Sequence, residues 1–147
     1  MLIEPINKSN LKELTGLFVE MFPETDYEEE LEIFEKSIGS LREICFLAKS
    51  AEKYIGFIHI TLRTDYVEGS EVSPTAYVEA IYVKPSFRRK GIAEALLKSA
   101  EEWAISKHCY TLASDTAITN ANSIQFHHKV GFEETNRIVC FIKKLGE

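Results

Sequence analysis

A chain of 147 residues with 45% hydrophobic content is expected to form one domain along its whole length, 1–147, since domains most often run to about 100–150 residues around a single core. Its 23 acids outnumber 17 bases for a formal charge of −6, which argues against nucleic acid, a partner that requires a basic face. No apolar run approaches the roughly 20 residues of a membrane span, and the opening MLIEPINKSN has no basic or apolar leader segment, so a soluble, cytoplasmic protein without a membrane partner is expected.

The N-terminal MLIEPI alternates as a first strand, and Asn7 or Ser9 then caps a helix that carries Leu11, Leu14, Leu17 and Phe18 at helical spacing. Thr25 with Glu28 forms a capping box for a second helix from Asp26 to about Ile38, and Gly39 lies just past its end. Residues 20 to 35 hold eight acids and no Lys or Arg. Such a segment is either a solvated helix face or an attraction for a cationic ligand.

EICFLAK and YIGFIHITLR read as an antiparallel hairpin, TDYVEGSEVSPT as a loop, and AYVEAIYV as a fourth strand closed by Pro85. After Gly91 the period is helical: Ile92, Leu96, Ala100 and Trp103 line one stripe with Ala93, Leu97 and Ala104, and Glu94, Lys98, Glu101 and Glu102 lie opposite. CYTLAS is a short strand, residues near 120 to 130 form a last helix with Gly131 as its stop, and RIVCFIKKL is a final strand. The strand, helix and strand around residues 77 to 113 form a crossover unit, so that pair is parallel. The fold class is therefore α+β, a twisted mixed sheet of antiparallel and parallel strands. Cys45, Cys109 and Cys140, odd in number and set among apolar residues, are expected to be buried free thiols.

The passage KPSFRRKGIA leads from a strand into a helix whose first N–H groups have no intrahelical partners and point together at the positive end of the macrodipole. Gly91 removes a side chain from that turn, Ala93 keeps it narrow, and Arg88, Arg89 and Lys90 add mobile positive charge, a combination that is either a site suited to a pyrophosphate or a basic helix start on the surface. A P-loop is excluded because no Gly-Lys-Ser/Thr follows, and a dinucleotide fingerprint because only one glycine is present.

Arg88-x-x-Gly91-x-Ala93 after a strand, with NANSIQFHHKVGF some thirty residues on, resembles the Gcn5-related N-acetyltransferase (GNAT) superfamily, whose element order matches the reading above across nearly the whole chain. The resemblance implies the GNAT fold, with helices on both faces of the sheet, and acetyl-coenzyme A as co-substrate. Main-chain N–H groups of Arg89, Lys90, Gly91, Ile92 and Ala93 would hold the pyrophosphate, and the pantetheine arm would run beside Ile81, Tyr82 and Val83 like an added strand. Asn120 matches the superfamily asparagine that contacts that arm. MFPETDYEEEL, RTDYVEGSEVSPTAYVEAIYV, ASDT and GFEETNR narrow the resemblance to bacterial aminoglycoside 6′-N-acetyltransferases, antibiotic-resistance enzymes. Phe22 stands where that family often has tryptophan, keeping an aromatic platform without the indole donor.

Such an enzyme must remove a proton from an amine, hold nitrogen near the thioester carbon and stabilise the charge that develops on oxygen. Glu79 sits mid-strand among apolar neighbours, a costly place for a carboxylate unless it is solvated or functional. The family resemblance makes it a base acting through water, and burial is expected to raise its pKa. The Ile81 N–H polarises the thioester carbonyl if a bulge releases it from the ladder. His127 occupies the position where many superfamily members carry a tyrosine acid, and it is either an acid or a helix-packing or amide-contacting residue. Phe22, Tyr66, Glu79 and Asp115 are the residues carried over for a cationic acceptor, with loop packing open for Tyr66 and turn capping for Asp115. Glu133 and Glu134 are expected to be solvated. His59, His108 and His128 show no ligand spacing, so no metal is expected.

Two other functions fit the same residues: acetyl transfer to a polyamine, a peptide amine or another small amine, and a coenzyme-binding module without turnover. After Gly131 sixteen residues remain, enough for one long strand or a cramped hairpin where the superfamily usually needs two strands. A homodimer that shares or exchanges this strand would complete each sheet.

Overall fold

The computed structural model describes residues 1–146. They fall into two compact units, Met1–Ser114 and the described residues from Asp115 onward. In the first, β1 (Leu2–Pro5), α1 (Leu11–Met21), α2 (Tyr27–Ser37), β2 (Glu43–Ser50), β3 (Lys53–Arg63), β4 (Thr75–Val83), α3 (Ile92–Ser106) and β5 (Leu112–Ala113) follow in order, with a 3-10 turn at Pro85–Phe87; the second holds α4 (Ala121–Lys129). The sheet runs in sequence order from β1 to β5. Its first three pairings are antiparallel and β4 with β5 is parallel, so the α+β class with a mixed sheet is as expected.

Alternation along β3 sorts the core. Phe57 joins Leu14 and Leu17 of α1, Phe34 of α2 and Cys45 and Leu47 of β2 in one cluster, whereas Ile58 and Ile60, also fully buried, point to the other face, where α3 packs over β2, β3 and β4. The expected stripe of α3 buries Ile92, Leu96, Leu97, Ala100 and Ala104. At full burial each of the isoleucine and leucine side chains contributes about 1.5–3 kcal/mol, and each alanine less.

Several local expectations shift. The start of α1 is set by Asn10, not by Asn7 or Ser9. Asn7 Oδ1 instead accepts from the N–H groups of Ser9 and Asn10, and Asn10 Oδ1 accepts from the Asn7 N–H, so the two amides knot the approach to the helix. At α2 the cap is Asp26, whose carboxylate accepts from the Glu29 N–H at 3.0 Å, and the Thr25 hydroxyl turns back to Phe22 O. The two-residue β5 is much shorter than CYTLAS suggested. RIVCFIKKL forms no strand among the described residues, and Ile138, Val139, Phe141 and Ile142 are 73–99% exposed. A strand exists only when a neighbour supplies ladder partners, and this segment has none among the described residues. Cys45 and Cys109 are buried free thiols as expected, but Cys140 lies exposed on that segment. The acids of α2 stand largely in solvent, with Glu32 paired to Lys36 at 3.3 Å.

Gly56 marks the tightest approach in the sheet. A Cβ there would lie 2.7 Å from Tyr82 O and 3.3 Å from a Val83 methyl, so only glycine lets β3 and β4 meet without a shift. Gly56→Ala is expected to lower stability by about 1–3 kcal/mol, the usual cost of forcing extra volume into a packed site, read from urea unfolding midpoints at unchanged m-value.

Candidate active site

Strand β4 carries one more residue than β3 can pair. His59 stands opposite Ala80 and Ile60 opposite Val78, which leaves Glu79 without a partner and makes a bulge. Ala80 and Tyr82 already face the α1 and α2 side with Phe57. Unbroken alternation would send Glu79 to the opposite face, among Ile58, Ile60 and α3. The bulge returns it to the α1 and α2 side, where its carboxylate meets Thr61 and Arg63. Thr61 Oγ1 donates to Oε2 at 2.7 Å, Arg63 Nε to Oε2 at 3.0 Å, and Arg63 Nη2 to Oε1 at 2.8 Å.

This environment reverses the electrostatic expectation for Glu79. Partial burial by itself pushes its pKa up, but hydrogen bonds from Arg63 and Thr61 and the charges of Arg63 and His59 outweigh it and hold the carboxyl below the usual range. The group is ionised at neutral pH, a fixed anion on the wall of the sheet. His59 extends the polar line toward β2, with Nε2 3.0 Å from Glu43 Oε1 and its ring edge-on to Phe34 at 6.0 Å.

The bulge lies two residues before Ile81, and the Ile81 N–H owes its direction to something else. Lys84 N–H donates to Ile55 O at 2.8 Å, so Gly56 and Val83 form a non-hydrogen-bonded pair, as do Ile58 and Ile81 two residues back. The N–H and C=O groups of Ile81 and Val83 therefore point away from β3. They face the outer edge of β4, where pairing with β5 stops at Tyr77. Arg88 Nε donates to Val83 O on that edge at 2.8 Å, and its guanidinium lies 5.6 Å from the centre of the Tyr82 ring. Arg88 is thus an anchored cation and not the mobile one the sequence suggested. Tyr82 sends its hydroxyl the other way, to Glu20 Oε2 at 3.0 Å, beside a Lys84–Glu20 pair at 2.7 Å.

The turn into α3 combines two left-handed residues, Arg89 at φ 64° and Gly91 at φ 78°. Only glycine takes up that conformation without steric cost, and no neighbour lies within 4 Å of where a Cβ would stand. Gly91 offers the helix no capping side chain, and the first intrahelical bond runs from Ala95 N–H to Gly91 O at 3.1 Å. The N–H groups of Ile92, Ala93 and Glu94 precede it, at the positive end of a 15-residue helix. Arg89, Lys90 and Gly91 are exposed there. Alternating handedness at residues 88–91 turns successive N–H groups into a concave, anion-binding nest.

Phe22 closes α1 and packs against Phe18 with ring centres 4.9 Å apart and planes tilted by 48°, half-buried beside the core. Tyr66 projects from the loop after β3, 81% exposed, with its hydroxyl donating to Glu68 at 2.7 Å. Asp115, Asn120 and His127 belong to the second unit. Asn120 Oδ1 caps α4 by accepting from the Ser123 N–H at 3.1 Å. His127 Nδ1 donates to Ser123 O at 2.7 Å and its ring lies between Phe126 and Phe132, the packing arrangement that the sequence left open. Asp115 is exposed at the start of this unit. Glu134 pairs with Arg137 at 2.8 Å. Among the described residues no group of three or more His, Cys, Asp or Glu side chains could hold a metal ion.

Sequence reasoning missed Thr61, Arg63 and Tyr77. Their spacing of two marks Thr61 and Arg63 as sharing one face, but only the register puts that face against Glu79.

Comparison with known proteins agrees with this geometry. Residues 11–132 match the profile of the Acetyltransferase (GNAT) family. An aminoglycoside N(6′)-acetyltransferase type 1 of Salmonella enteritidis is 34% identical over 97% of this chain and 98% of its own. Another, of Acinetobacter genomosp. 13, is 35% identical over 99% of this chain and 100% of its own. Among solved structures, AAC(6′)-Iy in complex with the bisubstrate analogue CoA-S-monomethyl-acetylneamine superposes with a TM-score of 0.94 at 33% identity, covering 98% of each chain. The chain belongs to the Acetyltransferase (GNAT) family.

A carboxyl whose folded pKa is depressed contributes stability that is present above its unfolded value, near 4.5, and is lost as pH falls through the folded value. The stability difference between wild type and Glu79→Gln is therefore expected to stay level from neutral pH down to about 4.5 and to shrink below it. Urea midpoints measured across that range provide the check, and a gap that widens on acidification would contradict the pairing with Arg63.

Proposed function

We propose that this protein transfers the acetyl group of acetyl-coenzyme A to the 6′-amino group of an aminoglycoside, and so confers antibiotic resistance, as a single cytoplasmic domain spanning the chain. The observation that carries the reading is the left-handed pair Arg89 and Gly91 at the start of α3, placed directly after the open outer edge of β4. A coenzyme's linked phosphates and its extended, amide-bearing arm require those two features in that order. The fit is good on this chain's own terms: exposed N–H groups with no capping side chain, two exposed cations, and an anchored Arg88 between nest and strand edge. Relatives named as aminoglycoside N(6′)-acetyltransferases and a neighbour bound to a coenzyme–neamine conjugate supply the acceptor.

Bound here, the coenzyme supplies a thioester-activated acetyl group. The N–H groups of residues 89–93 bind the diphosphate, and those of Ile81 and Val83 pair with the arm, with Ile81 aimed at the thioester oxygen. Glu79 attracts the acceptor's ammonium and passes its proton on through water. Phe22 and Tyr66 line the acceptor's approach, the family resemblance gives Asp115 a role toward the acceptor and Asn120 one toward the arm, and His127 packs α4. The acidic segment 20–35 supports a cationic acceptor by long-range attraction, and the same net acidity leaves nucleic acid outside the reading. No described helix is long and apolar enough to cross a membrane.

Thiol release measured with acetyl-coenzyme A and a panel of amines tests the reading. Robust release is expected with 6′-amino aminoglycosides and little with 6′-hydroxyl analogues, polyamines or peptides. Glu79→Gln is expected to lower turnover by about 10²–10⁴-fold, and Gly91→Glu to abolish the protection against heat that the coenzyme gives wild type. A panel without any acceptor, or full coenzyme protection of Gly91→Glu, would sink it.

The working form in this reading is a homodimer. Residues 138–142 are five consecutive apolar positions, the pattern of a strand covered on both faces, and their exposure leaves that cover to a second copy. Light scattering is expected to give a dimer at micromolar concentration and a monomer once the chain is ended after Asn136. A monomeric full-length protein would overturn the exchange.

A further inference from the structure

Glu79 already holds a cation. Arg63 ends β3 and spans to β4 with two parallel bonds, one to each carboxylate oxygen, and Thr61 adds a third. A carboxylate offers about four acceptor positions, and the chain's own side chains fill three of them. The guanidinium also lies 3.4 Å from the centre of the Tyr77 ring, a contact that holds Arg63 whether or not Glu79 is engaged. The two side chains are 40% and 28% exposed, so a cation arriving from solvent can reach the pair. His59 on β3 also acts on Glu79 electrostatically, and its ring nitrogen meets Glu43 on β2.

We propose that Arg63 is a specificity-determining residue that occupies, in the free protein, the place of the acceptor's ammonium, so that acceptors with several charges are selected because they alone displace it. The inference rests on the reading of Glu79 as the residue that receives the amine. A guanidinium binds a carboxylate through a planar fork, whereas an ammonium is a point charge with no matching geometry. One ammonium exchanged for Arg63 therefore loses interaction. A polycation recovers it by pairing its other charges with further acids. Once displaced, Arg63 remains over Tyr77. The exchange also changes the chemistry available, because a guanidinium keeps its proton at any working pH while an ammonium can release one beside Glu79.

The test compares kcat/KM by thiol release for a 6′-amino aminoglycoside and for a monoamino sugar, at fixed ionic strength, in wild type, Arg63→Gln, Arg63→Lys and Glu79→Gln. Arg63→Gln is expected to raise the monoamine-to-aminoglycoside ratio about 10- to 100-fold, the span commanded by a charge-assisted hydrogen bond. It also moves the acid limb of the pH profile upward, since Arg63 no longer holds the Glu79 carboxyl down. Arg63→Lys keeps the charge without the fork and shifts the ratio in the same direction by less, which serves if Arg63→Gln folds poorly by thermal unfolding. An unchanged ratio in the folded variants, whatever happens to overall rate, overturns the inference alone. Full activity in Glu79→Gln overturns the reading of Glu79 and this inference with it.

Discussion

The single unpaired residue between Val78 and Ala80 governs the faces of the sheet around β4. Because side chains alternate along a strand, one extra residue reverses every orientation on one side of it. Tyr82 and Ala80 face α1 and α2 on one side of the bulge, and beyond it Glu79 and Tyr77 do so in place of Val78. A carboxylate is thereby moved from the face packed by α3 to a wall where Thr61 and Arg63 satisfy it. Buried against α3 without partners, the same group would be driven toward its neutral form. The bulge decides not only where Glu79 points but that it carries a charge.

Main-chain groups do the remaining work of the candidate site, and their order along the chain is what makes them useful. The outward N–H groups of Ile81 and Val83, the short 3-10 turn and the nest at Gly91 succeed one another within about ten residues. Arg88 ties the turn to the strand edge through Val83 O, so strand and helix terminus are held in fixed relation by one side chain. Gly56 acts on the same segment from behind, since its missing side chain lets β3 close on Tyr82 O. A positive site on an acidic protein needs no basic surface when helix dipole and oriented amides supply the field.

The C-terminal segment poses the opposite problem. Apolar residues at every position from 138 to 142 offer no face to water, and α4, in the same unit, has no fully buried residue. Exposed apolar surface of this kind marks an interface. The dimer reading treats the segment as a strand awaiting its sheet, with Cys140 returned to the apolar setting its neighbours suggest.

Much was legible in the residues alone. The α3 stripe, the acidic face of α2, the β2–β3 hairpin and the glycine after RRK depend on local spacing and local backbone preference, which a sequence carries in full. So did the resemblance to the acetyltransferase family, since its motifs are contiguous. What only the tertiary structure decided was register: the bulge at Glu79, its pairing with Arg63 and Thr61, the downward shift of its pKa where burial alone suggested an upward one, and the outward direction of the Ile81 N–H. Each depends on which residue of one strand lies opposite which residue of another. That choice is made by the packing of distant segments and leaves no trace in the periodicity of either strand.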